Sequence, residues 1–326
     1  METSDGLFFD VKGLLHPPER VVAYLRYYPD NQGDRLLYGI RYAKVYELSQ
    51  RRLLLEKRWP HYLYYDEVQG RKLQGVPLER ILNLHMPSQG LATLGAERKD
   101  PLQTSALELV EILIHESGLP RTCFGISGSL LIGLHSPESD IDIVVYGKRA
   151  AKRAQEILFN LLEEGKQFQR YKKHDLEALY VRRGLRRAIR LRDFVAQECR
   201  KAFQGKFMRR DYFIRCVKNW QEITDHYGDA RYRPLGRCTI SAKVRDDEEG
   251  LFTPCRYSLE RVRVLAGIRS RPPIEIVSFR GRFAEQARAG EEIVARGRLE
   301  SVQSKESQHF RLVVGEGSTD ILMRSA

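Results

Sequence analysis

The chain has 326 residues, enough for two or three domains with a core each. Its composition, 42% hydrophobic and 30% charged, fits a soluble globular protein, and no apolar run approaches the ~18–20 residues of a membrane helix. The net charge of +12 is local: 17 Lys or Arg face five Asp or Glu between Lys166 and Lys218, and the remainder is formally neutral. Five scattered cysteines without a C-x-x-C pair argue against a disulfide framework or a zinc ribbon. They point to a reducing compartment, the cytoplasm, and residues 1–6 lack the basic-then-apolar pattern of a secretory leader.

Residues 1–95 read as an α+β module. Runs at 7–13 and 20–28 have strand character and are split by His16-Pro17-Pro18, and 29–34 is a loop. Helical spacing is expected over 42–57, with Val45, Leu48, Leu53 and Leu54 as its apolar positions, and another strand over 62–65. Tyr24, Tyr27, Tyr28, Tyr38, Tyr42 and Tyr46 alternate with Arg20, Arg26, Arg35, Arg41 and Lys44. Such interleaving can stack bases and hold phosphates, or simply pack a sheet. Pro77 suits the first turn of a short helix, and residues 86–90 resemble a linker.

Residues 96–232 read as a core of alternating helices and strands, with a helix over 101–117 stopped by Gly118 and a strand over 122–126. Ser127-Gly128-Ser129, a short apolar turn and a polar loop follow, then the alternating strand 140–146 and a helix over 148–164. Side chains two apart on a strand share a face, so Asp140 and Asp142 point the same way, their backbones roughly 6–7 Å apart. Two carboxylates in this position can hold hard cations, and metal pairs in phosphoryl transfer lie about 3.5–4 Å apart. Gly128 lets the backbone approach a ligand closely, and a helix starting at Ser129 offers free N–H groups to a phosphate. A phosphate cradle beside a metal-holding pair of acids is the chemistry of nucleotidyl transfer.

The arrangement Gly128-Ser129, ten residues, then Asp140-Ile141-Asp142 resembles the signature of the DNA polymerase beta-like nucleotidyltransferase superfamily. That resemblance implies a mixed-sheet core, two Mg²⁺ ions on Asp140 and Asp142, and a nucleoside triphosphate held by Ser127, Gly128 and Ser129. It also implies a third carboxylate on a later strand, as metal ligand or as base for the attacking hydroxyl. Asp211, which opens a strand-like run to Val217, is the first choice, with Asp175, Glu177 and Asp193 as rivals. Arg210 stands before it where the family favours an apolar residue. Arg215, on the same strand face as Asp211, could meet the triphosphate. A helix is expected over 192–203, ended by Gly205, and His174 is read as structural or solvated.

Residues 233–326 turn all-β, with alternating runs near 238–244, 256–265, 275–279, 293–299 and 310–314 separated by turn signals. A small OB-like barrel is the expectation, so the whole is α+β. The layout resembles predicted archaeal-type nucleotidyltransferases with an N-terminal accessory module and a β-rich tail. Basic stripes such as 166–218 mark contact with a polyanion, so RNA or DNA is the expected partner. Three readings compete: transfer to a nucleic-acid end, adenylylation of a protein or small molecule, and a catalytically idle nucleic-acid binder.

Overall fold

Strand pairing sorts the chain into three sheets, each with its own buried apolar cluster. The computed structural model describes residues 1–94 and 100–325, so the expected boundary at 95/96 lies outside the described residues. No helix among them is long and apolar enough to cross a membrane.

The first sheet comprises β1 (Glu2–Thr3), β2 (Phe8–Val11), β3 (Arg20–Pro29), β4 (Arg35–Leu37), β5 (Ile40–Lys44), β6 (Leu63–Asp66), β7 (Arg71–Pro77) and β8 (Ile81–Asn83). Helix α1 (Leu48–Arg58) closes one face over Leu7, Phe9, Ala23 and Leu25. The helix expected over 42–57 is therefore only partly formed. Tyr38 and Gly39 adopt positive φ (49° and 80°) and close a tight β4–β5 hairpin, which claims residues 40–44 as a strand. The expected linker at 86–90 also differs: Pro87 opens α2 (Pro87–Leu94), whose Leu91 is buried. It packs on the central sheet at Gly125, where a Cβ would come within 2.7 Å of Pro87.

The central part contains α3 (Pro101–Ser117), β9 (Phe124–Ile126), α4 (Gly128–Leu131), β10 (Ile141–Tyr146), α5 (Lys148–Glu164), β11 (Phe168–Gln169), α6 (Lys173–Arg182), α7 (Leu191–Glu198), β12 (Gln204–Phe207) and β13 (Arg210–Val217). The sheet order is β11-β12-β13-β10-β9, with β10 and β13 parallel and the other pairs antiparallel. Ile141, Ile143 and Val145 are buried in one cluster with Leu109, Leu113, Ala154 and Leu158 of α3 and α5. Alternation then turns Asp140, Asp142 and Val144 to the opposite face. Helix α3 is held at its start by a reciprocal capping box of Asp100 and Gln103 and ends on left-handed Gly118. Helix α7 stops at Glu198, short of the expected 203, and Gly205 lies in β12, where its bare Cα admits the Gln169 carbonyl and the Tyr212 ring.

The last sheet comprises β14 (Ala230–Asp246), β15 (Cys255–Ala266), β16 (Glu275–Ser278), β17 (Glu292–Ser304), β18 (Gln308–Val313) and β19 (Ile321–Arg324). Strand β14 pairs with β15 and β17, β15 with β16, β16 in parallel with β18, and β18 with β17. The pairings of these five strands thus run in a ring around Ile240, Tyr257, Ile276, Ile293 and Leu312, and β19 is added beside β17. The parallel pair is why the last alternating run does not simply close a meander.

Candidate active site

The antiparallel contact of β9 with β10 brings the chain from Ile126 straight into the Ser127–Gly128 bend beside Asp142. Ser127 N–H donates to the Asp142 carbonyl at 2.8 Å. Gly128 takes φ +63°, and a Cβ there would lie 1.9 Å from Asp142 Oδ2. The bend and the carboxylate therefore touch, and glycine is required by space as well as by φ. Ser129 is buried, and its carbonyl accepts from Leu134 N–H at 3.0 Å. Helix α4 is a single turn, so its dipole is small. What it offers a phosphate is the unpaired amides at its start.

Parallel pairing sets Ile141 opposite Tyr212, Asp142 opposite Phe213 and Val144 opposite Arg215, so the residues just before the paired register, Asp140 and Asp211, fall on the same face. Asp140, Asp142, Asp211 and Arg215 thus share the face turned away from α3 and α5. Like charges close together disfavour ionisation, and burial adds to this. Burial pushes the Asp142 carboxyl up to about 6, reinforced by Asp140 and opposed by Arg215, Arg26 and Lys44. Asp140, although exposed at the rim, is also raised, by partial desolvation and then by Asp211. Among the described residues neither Asp140 nor Asp142 has an ion-pair partner. Two hard oxygen donors on one face, repelling each other and unpaired, fit a divalent cation.

The third acid is held differently. Lys206 is the cross-strand partner of Asp211, and its Nζ lies 3.0 Å from Asp211 Oδ1 and 3.2 Å from Asp175 Oδ1. Among the described residues no three His, Cys, Asp or Glu side chains come close enough to hold a metal together. Of the rival acids, only Asp175 lies here, and it also caps α6 by accepting from Lys172 N–H at 2.9 Å. Glu177 and Asp193 instead face Lys173 and Arg192 at the surface. A small cavity of about 120 Å³, lined by Tyr171, Asp175, Leu179, Arg182 and Asp211, opens beside the third acid. A larger one of about 580 Å³ lies elsewhere, among Lys12, Tyr24, Lys148, Lys218 and Phe279, and includes none of the three carboxylates.

Sequence reasoning missed Lys206 as the partner of Asp211; it named Arg26 and Lys44 among residues that could hold phosphates but not their action on Asp142. The hairpin pairing Lys206 with Asp211 turns on Met208 and Arg209, both at positive φ (47° and 72°), and neither residue type signals a turn. His174 is exposed, as expected, and all five cysteines are unpaired.

Comparison with known proteins adds family to geometry. A family model described as a nucleotidyltransferase domain matches residues 108–202, which include the Gly128 bend, Asp140 and Asp142 but stop short of Asp211. The chain is 32% identical to the uncharacterized protein MJ1086 of Methanocaldococcus jannaschii, over 97% of its own length and 94% of the relative's. No solved structure matches the chain.

Proposed function

The chain belongs to the DNA polymerase beta-like nucleotidyltransferase superfamily and is a transferase, and on that premise we propose that it moves a nucleoside monophosphate from an NTP to a hydroxyl at the end of an RNA or DNA strand. The observation that carries this is the close approach of Gly128 to the Asp142 carboxylate, which joins the bend to two acids that make no ion pair among the described residues. Asp140 and Asp142 would hold two Mg²⁺ ions, with Asp211 as third ligand or base. When bound, the metal supplies charge neutralisation and a more acidic acceptor hydroxyl. The amides of Gly128 and Ser129 and the Arg215 side chain hold phosphate oxygens, and Ser127 fixes the bend against β10. The acceptor oxygen attacks the α-phosphorus, the bond to the bridging oxygen of the β-phosphate breaks, and pyrophosphate leaves with that electron pair. Asp211 takes the hydroxyl proton once Lys206 yields. Alignment and fixed charges supply most of the acceleration.

The nucleic-acid acceptor is supported by where the excess charge lies. Arg182, Arg186, Arg187 and Arg190 are exposed on the excursion between β11 and β12 and make no ion pair among the described residues. Arg182 lines the cavity beside Asp211. The ring of five strand pairings supports an OB-like barrel in the last part, a fold suited to oligonucleotides. We also propose the tripartite division 1–95, 96–232 and 233–326, although β14 begins at Ala230. The unpaired cysteines support a cytoplasmic setting.

The test offers each α-labelled NTP with Mg²⁺ to mixed tRNA, DNA oligonucleotides and protein lysate. Label is expected in a nucleic-acid fraction and absent with Asp142→Asn, whose circular dichroism should match wild type. Label confined to protein or small molecules would move the assignment to adenylylation. Transfer by Asp142→Asn at wild-type rate would remove the metal role of β10.

A further inference from the structure

We infer that the first sheet completes the nucleotide site, with Arg26 and Lys44 binding the phosphate oxygens of the triphosphate opposite Asp140 and Asp142; this rests on the transferase reading. The sheet is fastened to the segment that links Gly128 to Asp140. Leu134, fully buried, packs among Phe8, Tyr27 and Tyr42, with Leu37 and Ile132 at the edge. Further along, Arg35 Nη1 donates to Ser139 Oγ at 3.3 Å, one residue before Asp140. The module is therefore held along the loop on which the catalytic face depends.

Register then decides which side chains look inward. Lys44 is the cross-strand partner of Tyr27, so the two share a face, with Nζ 5.8 Å from the Tyr27 ring centre. Tyr27 is the residue packed on Leu134, which directs Lys44 to the same side. The pairing of β2 with β3 slips at Phe8/Phe9, from Tyr27 to Leu25, and leaves Arg26 as the extra residue of a bulge. Bulges of this kind re-aim a side chain and gather next to active sites. Arg51, buried, donates to the carbonyls of Val45 at 3.1 Å and Tyr46 at 3.3 Å and so fixes the chain just after Lys44. It is a positioning residue.

Charge supplies the ligand's identity. Lys44 has no ion pair among the described residues, and Arg26 has only Asp10 at 3.8 Å, which it shares with Lys12 at the same distance. On the opposite wall Arg215 Nε is buried without a hydrogen-bond partner among the described residues. Three carboxylates and an ionised triphosphate carry roughly seven negative charges, of which two divalent ions and Lys206, on Asp211, offset about five. Arg26, Lys44 and Arg215 supply the cations for the remainder, from the two sheets joined along the loop before Asp140.

The test is calorimetric binding of a non-hydrolysable α,β-methylene NTP in Mg²⁺ to wild type, Arg26→Gln, Lys44→Met and Lys44→Arg, with melting curves for each. Charged hydrogen bonds of this kind make Arg26→Gln and Lys44→Met bind about 10-fold more weakly or worse, while Lys44→Arg stays within about threefold. The loss should shrink from the triphosphate to the monophosphate analogue. Wild-type-like affinity in both charge-removing variants overturns the inference and leaves the transferase reading intact. Equal weakening in Lys44→Met and Lys44→Arg assigns the loss to packing and also overturns it. Failure of wild type to bind any NTP removes both.

Discussion

Gly128 is the residue whose replacement separates chemistry from fold. Alanine there must take positive φ and place its methyl against Asp142 Oδ2, so the bend must open or the carboxylate must swing away. Gly128→Ala is expected to lose at least 100-fold in transfer while costing only about 1–2 kcal/mol of stability. Chemical denaturation beside single-turnover rates checks this, and full activity would mean the bend does not contact the reacting phosphate. Asp142 makes the complementary case. Burial, and then Asp140, hold its carboxyl at about 6 rather than the ordinary 3.8. Between those values the metal-free folded state keeps a proton that the unfolded chain has released, so its stability falls as pH rises from about 4 to about 6. Asp142→Asn removes that penalty. In chelator, the variant should melt above wild type at pH 7 and close to it at pH 4, and a lower melting temperature at pH 7 would contradict the raised Asp142 carboxyl.

At the scale of elements, the excursion from β11 to β12 has a small apolar centre of Leu176, Tyr180, Leu185 and Phe194 beneath a surface of free arginines. Phosphate contacts release counterions, so the logarithm of affinity falls with the logarithm of salt by about 0.7 per single-strand phosphate. Replacing Arg186, Arg187 and Arg190 by Ala should cut that slope for a single-stranded oligonucleotide by about 2, with NTP affinity unchanged. An unchanged slope would move the nucleic-acid path elsewhere. Elements with one strong local pattern were legible: α3 and α5 follow from apolar spacing with glycine stops, and β10 from strict alternation between two turns. What escaped was decided by partners distant in sequence. Residues 42–44 carry side chains compatible with a helix, and only the Tyr38–Gly39 turn commits them to β5. Residues 86–90 look like a linker until Gly125 gives α2 a surface to pack on. Asp140 and Asp142 could be read because their spacing is local, whereas the pull of Arg26 and Lys44 on the Asp142 carboxyl depends on a bulge and a docked sheet that no local pattern records.

Across the whole molecule, a polar junction ties the transferase core to the last sheet, with Glu198 at its centre. This buried carboxylate accepts from Arg183 and Lys201 at 2.9 Å and from Gln204 at 2.8 Å, and Lys201 in turn donates to the Arg282 carbonyl at 2.6 Å. Nearby, Glu285, in the connection from β16 to β17, accepts from the amides of Ala202 and Phe203, so Glu285 and the Lys201–Arg282 bond tie the segment between α7 and β12 to the C-terminal part. Burial alone would raise the Glu198 carboxyl, but Lys201 and then Arg183 overcome it and hold the group at about 2 instead of 4.5. A carboxyl depressed in the folded state stabilises it above the unfolded value and loses that contribution as pH falls from about 4.5 toward 2. The displacement corresponds to about 3 kcal/mol. Glu198→Gln keeps the shape but leaves Lys201 buried without its counterion, so it should cost about 3 kcal/mol at pH 7. Because the variant has no group left to titrate there, its urea midpoint should also fall less steeply than wild type between pH 4.5 and 3. Parallel pH profiles in the two proteins would show that the junction is not what acid breaks first. A shallower profile would assign to the Glu198 charge the acid-sensitive part of a seam that Glu285 also helps to close.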